Sequence, residues 1–241
     1  MSRMLSSEES DAVQTFEEGV WLIIPAYNVE KYLGTLLGQV KDIIPPRRTI
    51  IVDDGSSDET ASIGELAGAA IIRHKTNQGK GAALQTGIRN AAEVGASWVV
   101  TMDGDLQHDP SCLSDFIKTA KRGEADVIIG RRKISGSKMP LDRRFSNWAS
   151  TILLQTLTGV RLYDVQCGYR MLRVKLLRSI SCLAKKYDYE TEVLLHLIQH
   201  KARIDWVDIP TYYGDQSSSI RRWSDSIRFI KLALDYMTKR I

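Results

Sequence analysis

Five short apolar runs rich in β-branched residues punctuate the first half of the chain: Val20–Pro25, Thr49–Asp53, Ala69–Arg73, Trp98–Met102 and Asp126–Gly130. Each has strand length and none alternates cleanly, which is how strands buried on both faces of a parallel sheet read. Helix-like stretches lie between them, near 29–43, 57–67, 80–94 and 111–122. This alternation predicts a mostly parallel, doubly wound α/β sheet with helices on both faces, and ligands at the carboxyl ends of its strands. Beyond residue 140 the pattern changes. An amphipathic helix is predicted over 141–158, with Phe145, Trp148, Ile152 and Leu153 among its apolar residues. Helices follow near 174–182 and 189–201, then a strand near 203–209. A last helix over 221–239 spaces Trp223, Ile227, Ile230 and Leu234 at helical intervals. For both amphipathic helices the apolar face either packs on the core or lies in a membrane interface.

Polar residues cluster where the strands end. Pro25-Ala26-Tyr27-Asn28 follows the first, Asp53-Asp54-Gly55-Ser56-Ser57-Asp58 the second, Asp103-Gly104-Asp105-Leu106-Gln107-His108 the fourth, and Gly130-Arg131-Arg132 the fifth. One ligand could touch all four. Asp103 and Asp105 at a strand mouth are costly without a cation, and magnesium or manganese takes such oxygen ligands, with Gln107 able to add another. The same residues could also form a turn. Asp53 could accept from a base N–H or a ribose hydroxyl, while Ser57 or Asp58 could cap the next helix. Asn77-Gln78-Gly79-Lys80-Gly81 opens a helix, where backbone amides favour anions; close packing at its glycines is the competing reading. It matches neither a dinucleotide fingerprint nor a Walker loop. Arg131, Arg132, Arg143, Arg144 and Arg170 crowd a region with few acids, and two or three of them are expected to grip a phosphate. His196 and His200 stand four apart on a helix, which can be a metal pair. No third ligand is apparent in sequence, so they read as packing or surface residues.

The 241 residues are 43% hydrophobic and 26% charged, ordinary values that exclude a largely disordered chain. The net charge of +4 is uneven. Residues 1–19 sum to −4 and read as a mobile acidic arm, whereas residues 131–175 sum to +8. Cys112, Cys167 and Cys182 are too few and scattered for a disulfide framework or a four-ligand zinc site, which points to a reducing compartment. No run is long enough to cross a membrane and no signal peptide is evident, so the chain is expected in the cytoplasm. Positive charge alone argues little for nucleic acid, because no recognition motif or aromatic platform accompanies it.

Taken together, IPAYN at 24–28, VDDGSSDET at 52–60, NQGKGAALQTG at 77–87, MDGDLQHDP at 102–110, PLDRRF at 140–145 and DVQCGYR at 164–170 resemble glycosyltransferase family 2. Within it they resemble the polyprenyl-phosphate sugar transferases of the dolichol-phosphate mannose synthase kind. The resemblance implies a GT-A (nucleotide-diphospho-sugar transferase) fold as one domain over 20–241, with a nucleotide- and metal-binding half at 20–130 and an acceptor half at 131–241. It implies inverting transfer of a hexose, mannose ahead of glucose, from GDP-mannose or UDP-glucose to a polyprenyl phosphate, with Mg2+ or Mn2+ as cofactor. By matching positions, Pro25, Tyr27 and Asp53 would hold the nucleoside, with Asp54, Gly79 and Lys80 as further nucleotide-binding candidates. Asp103, Asp105 and Gln107 would hold the metal. Arg132 and Arg143, with Ser146 or Asn147, would reach the acceptor phosphate, and Arg131 and Arg170 are further candidates. Asp103, Asp105, Arg132 and Arg143 are the expected catalytic residues, and Asp164 or Glu190 could play a supporting polar role. Where relatives carry Tyr-Asn-Glu, this chain has Tyr27-Asn28-Val29, then Glu30.

A lipid acceptor further implies a peripheral protein on the cytoplasmic face of a membrane, and a membrane partner subunit is a further candidate partner. Two other functions compete: a family 2 transferase with a soluble or polysaccharide acceptor, and a non-catalytic nucleotide-sugar-binding module.

Overall fold

The computed structural model describes residue 16 and residues 19–133, 141–186, 188–210 and 222–238; at 141, 143, 222–227 and 230 only the backbone is described. Most of the acidic arm, the start of the PLDRRF motif and residues 211–221 lie outside these.

The strands are β1 (Val20–Ala26), β2 (Thr49–Asp53), β3 (Ala70–Arg73), β4 (Trp98–Thr101), β5 (Val127–Arg132), β6 (Arg170–Arg173) and β7 (Ile204–Ile209). They form one sheet in the order β3-β2-β1-β4-β6-β5-β7. All pairings are parallel except those of β6 with β4 and β5. The helices are α1 (Glu30–Val40), α2 (Thr60–Leu66), α3 (Lys80–Glu93), α4 (Leu113–Lys121), α5 (Leu141–Thr158), α6 (Val174–Leu177), α7 (Tyr189–Gln199) and α8 (Arg222–Met237).

The continuous apolar runs behave as their pattern predicts: β2 and β4 are buried along their whole length. The run at β3 differs. It is the sheet edge and its residues are partly or fully exposed, because a terminal strand has a neighbour on one side only. Strand order reverses at β1, with β2 on one side and β4 on the other. That reversal opens a crevice at the carboxyl ends of β1 and β4.

The antiparallel β6 is the element that pattern reading misses. It is four residues long, Arg-Met-Leu-Arg, with only two apolar residues to signal it. Because it runs backwards, Arg170 pairs with Thr101 near the end of β4 and with Ile129 on β5. The preceding Asp164–Tyr169 segment is thereby delivered to the carboxyl ends of the parallel strands.

The helix predicted over 174–182 ends at Leu177. The chain then crosses as an irregular strap whose backbone finds partners elsewhere, as buried amides must. Leu183 and Ala184 N–H donate to the Glu192 carboxylate at 3.0 and 2.8 Å. Lys185 O accepts from Ala82 N–H at 2.9 Å, and Ala184 O accepts from the Gln85 amide at 2.7 Å.

Helix α5 has an inverted distribution. Asn147, Ser150, Thr151 and Leu154 face the protein, whereas Phe145 and Trp148 are 67% and 59% exposed, with Ile152 and Leu153 also outward. On α8, Leu232 and Ala233 are buried, while Leu234 and Met237 are exposed. No helix among the described residues is long and apolar enough to cross a membrane.

Candidate active site

At the end of β1, Tyr27 is 48% exposed and Pro25 half-buried, so both border open space at the crevice. Asn28 takes a left-handed φ of 52°, a region Asn tolerates better than most residues. Its N–H donates to Ser56 Oγ, and its Oδ1 accepts from Ser57 N–H, both at 2.9 Å. Asp58 accepts from Thr60 N–H at the start of α2 and from Glu30 N–H at the start of α1. The capping reading of this loop is therefore correct, and it ties two helix starts together. Glu30, beside the departure at Val29, accepts from Glu59 N–H at 3.0 Å.

Asp53 is fully buried. Its Oδ1 accepts from Ser56 N–H at 2.9 Å and its Oδ2 from Arg73 Nε at 3.1 Å. Asp54 and Gly79, both expected at the nucleotide, satisfy one another: Gly79 N–H donates to Asp54 Oδ2 at 2.7 Å. Gln78 N–H donates to Oδ1 at 2.9 Å, and His74 Nδ1 lies 2.6 Å from the same oxygen. Asp54 thus fixes the loop that precedes α3. The glycines of that loop serve packing. A Cβ on Gly81 would lie 2.6 Å from Lys186 O and Tyr189 Cβ, and one on Gly79 2.7 Å from Lys185 O. Lys185 O also takes the Ala82 N–H, so the strap packs against this helix start.

Lys80, a nucleotide-binding candidate, reaches the end of β4. Its ammonium lies 2.6 Å from Asp103 Oδ1 and 3.3 Å from Glu190 Oε2, joining α3, the end of β4 and α7. Gly168 covers this cluster. A Cβ there would lie 2.8 Å from both Lys80 Nζ and Glu190 Oε1, and 3.4 Å from Asp103 Oδ2. Below it, Gly168 O accepts from Thr101 Oγ1 at 2.8 Å. Gly168 stands in a motif legible in sequence, but its role depends on β6 and was missed.

Asp105 Oδ1 accepts from Gln107 N–H at 3.0 Å, across a turn in which Leu106 has a φ of 59°. Burial and the charge of Asp103 push the Asp105 carboxyl up to about 6. Burial also acts against ionised Asp103, but the charge of Lys80 prevails and holds it below the usual range. Two hard-oxygen groups, one of which burial and its neighbour's charge hold back from ionising, are a fitting donor set for a magnesium- or manganese-like ion. His108 is buried and its pKa falls to about 4, chiefly through burial. Asp103 N–H donates to its Nδ1 at 3.4 Å, and its ring stacks on Tyr169, which stacks on Phe116. This neutral imidazole braces the turn; sequence offered no signal for that.

At the end of β5 the arginines separate by strand alternation. Arg132 makes a two-pronged pair with buried Asp164, Nε to Oδ2 and Nη2 to Oδ1, each at 2.7 Å. Arg131 points to the other face, pairs with Asp208 and stacks 4.8 Å from the Tyr163 ring centroid. Arg170 is only 2% exposed and donates to the carbonyls of Cys167, Glu190 and Val165. Its guanidinium holds the site's floor together, so burial removes it from the acceptor-phosphate candidates. Ser146 is exposed and accepts from the Gln166 amide at 3.4 Å, whereas Asn147 is buried. Arg143 lies in the first turn of α5, and its side chain falls outside the described residues.

Comparison with known proteins adds to this geometry. The family "Glycosyl transferase family 2" matches residues 21–181. An undecaprenyl-phosphate mannosyltransferase of Micrococcus luteus is 29% identical over 219 residues, spanning 86% of this chain and 88% of that protein. A UDP-N-acetylglucosamine–dolichyl-phosphate N-acetylglucosaminyltransferase of Methanococcus voltae is 31% identical over 221 residues, spanning 82% and 87%. Among solved structures, glucosyl-3-phosphoglycerate synthase of Mycobacterium tuberculosis, in complex with Mn2+, UDP-glucose and phosphoglyceric acid, superposes with a TM-score of 0.76 at 18% identity, covering 99% of this chain and 86% of that one. The sheet is thus the GT-A arrangement that the motifs imply.

Proposed function

Because this chain belongs to glycosyl transferase family 2, we propose that it performs inverting, metal-dependent transfer of a hexose from a nucleotide sugar to a polyprenyl phosphate. Mannose from GDP-mannose is favoured over glucose from UDP-glucose. It works as a peripheral protein on the cytoplasmic face of a membrane. One observation carries the reading. The outward apolar stripe of α5 lies on the helix whose inner polar face is bonded to the segment that orients Arg132. Gln166 donates to Ser150 Oγ at 3.1 Å, Val165 N–H to Thr151 Oγ1 at 3.5 Å, and neighbouring Asp164 grips Arg132. An outward apolar surface and a guanidinium thus share one support, an arrangement that suits a lipid carrying a phosphate. Relatives named for undecaprenyl- and dolichyl-phosphate support the same acceptor class.

In this reading Pro25, Tyr27 and Asp53 cradle the nucleoside at the β1–β2 end. Asp103, Asp105 and Gln107 hold the divalent ion, which when bound neutralises the donor diphosphate and stabilises it as a leaving group. Arg132, kept charged and oriented by Asp164, positions the acceptor phosphate, with Arg143 and Ser146 as further ligands. A phosphate monoester has a second pKa near about 6, so at neutral pH it is mostly a dianion and needs no strong base. One of its oxygens bonds to the anomeric carbon as the bond from that carbon to the nucleoside diphosphate breaks, and the sugar inverts. The chain's task is to bring two anions together: guanidinium on one side, carboxylate-held cation on the other.

The test is incubation with Mn2+ or Mg2+, polyprenyl phosphate and a panel of GDP- and UDP-sugars, with mass spectrometry of the organic phase and Asp105→Asn as control. A lipid-phosphate hexose absent from the control supports the reading. Nucleoside diphosphate release only with a water-soluble phosphate acceptor would favour the reaction class of the Mycobacterium tuberculosis neighbour. Nucleotide binding without product would favour a non-catalytic module.

A further inference from the structure

Away from the strand ends, Cys182, Glu192 and His196 bring a thiol, a carboxylate and an imidazole together, their ligand atoms within 4.8 Å of one another. Glu192 and His196 share one face of α7 at four-residue spacing, and Cys182 comes from the strap that crosses it. A second observation concerns the imidazole alone. The Nε2 of His196 is buried with no hydrogen-bond partner among the described residues. Buried polar atoms are almost always satisfied, so one that is not leaves room for a water, an ion or another ligand to meet it.

We propose that Cys182, Glu192 and His196 form a binding site for a thiophilic divalent cation, zinc foremost. The donor set of one sulfur, one nitrogen and one carboxylate oxygen is a zinc set and a poor magnesium set. Bonds of ~2.3 Å to sulfur and ~2.0–2.2 Å to nitrogen and oxygen put tetrahedral ligands roughly 3.3–3.7 Å apart, so closure of about 1.1–1.5 Å from the outer bound of 4.8 Å suffices. Glu192 already accepts two backbone N–H groups, and a carboxylate has lone pairs left for a cation. Charge balances as well: thiolate and carboxylate together offset a divalent ion while the imidazole stays neutral. On binding, the Cys182 S–H bond gives way to a sulfur–metal bond and the proton leaves to solvent. Without the cation, burial and Glu192 push the thiol up to about 12.

The site fastens the strap to α7. The strap in turn holds the start of α3, where Lys80 emerges, through Lys185 O and Ala184 O. The metal is therefore a staple two contacts from the Asp103 cluster, and the proposal does not depend on which sugar or acceptor the protein uses.

Cobalt(II) is the probe. The full chain, stripped with a chelator and titrated with Co2+, is expected to develop a near-ultraviolet thiolate-to-cobalt charge-transfer band that Zn2+ abolishes. The band should vanish in Cys182→Ser, weaken at least about tenfold in affinity in His196→Gln, and persist in Asp103→Asn, because the strand-end site has no sulfur. Zn2+ should also raise the Tm of the wild type and not that of Cys182→Ser. Cys182→Ala serves if the serine variant does not melt cooperatively. No thiolate band in a cooperatively folded wild type, a band that survives Cys182 replacement, or undiminished zinc affinity in both variants overturns the proposal.

Discussion

The Lys80 ammonium sits 2.6 Å from the Asp103 carboxylate and is shared with Glu190, so one lysine neutralises acids from two other elements. Lys80→Met would leave those carboxylates facing each other and the nearby Asp105. Without divalent ions, Tm should fall by an amount corresponding to about 1.5–3 kcal/mol, the usual worth of hydrogen bonds to charged groups. Mn2+ should restore more stability in the variant than it adds to wild type, because the ion supplies the missing charge. Thermal melts with and without Mn2+ measure both.

Asp105→Asn should keep the fold and lower turnover by at least about 100-fold, the scale of losing one preorganised charge contact. Chelation of the wild type should abolish turnover and added Mn2+ or Mg2+ restore it. Steady-state assays with and without chelator decide this.

Gly168→Ala places a methyl 2.8 Å from both Lys80 Nζ and Glu190 Oε1. The lysine must move off Asp103, or the β6 approach must shift. Turnover should drop about tenfold or more, with a stability cost of about 1–3 kcal/mol, typical of overpacking. Kinetics and denaturant melts on the same preparation check both.

The pair Phe145→Ser and Trp148→Ser removes two exposed aromatic rings whose centroids lie 5.8 Å apart. Tm should stay nearly constant, since neither side chain is buried. Binding to anionic vesicles should weaken by about 10²–10⁴-fold, from about 1.5–3 kcal/mol for each of the two buried aromatics. Nucleotide affinity should be unchanged. Vesicle co-sedimentation alongside nucleotide titration separates the outcomes.

Asp126 supplies the pH-dependent prediction. Arg203 bonds both its oxygens, at 2.9 and 3.1 Å, and Arg173 lies 3.1 Å away. The hydrogen bonds from Arg203 outweigh burial and hold the carboxyl below its usual value. Its stabilisation is therefore fully present above the unfolded value of about 4 and is lost as pH falls through the folded one. Asp126→Asn should lower Tm by about 2–4 °C at pH 7. The gap to wild type should close in acid, as melts across pH 2–7 would show.

The strand runs, the helices between them and the polar clusters at strand ends were legible because each is a local pattern: apolar continuity, helical period, Asp and Gly at turns. Asp103, Asp105, Arg132, Tyr27 and Asp53 could be singled out on that basis, and their carboxyl-end placement follows from the wound sheet. Local pattern could not choose between alternatives of equal chemistry. Capping by Asp58, packing by Gly79 and Gly81, and the outward face of α5 each depended on what lay opposite, which is set by distant chain.

The same reason explains what was missed. Arg170 reads as a phosphate ligand until β6 buries it, and Gly168 acquires its role only because an antiparallel strand too short to signal itself carries it to Lys80. For His196 the sequence offers only its i+4 neighbour His200, whereas the fold sets Cys182 of the strap and Glu192 of the same helix beside it. The sequence by itself determined the elements long enough to carry a period, their order and the kinds of chemistry at their ends, since these follow from neighbours along the chain. Only the tertiary structure decided which charges are paired, which are buried and which apolar face is left open, because those depend on residues that meet from far apart.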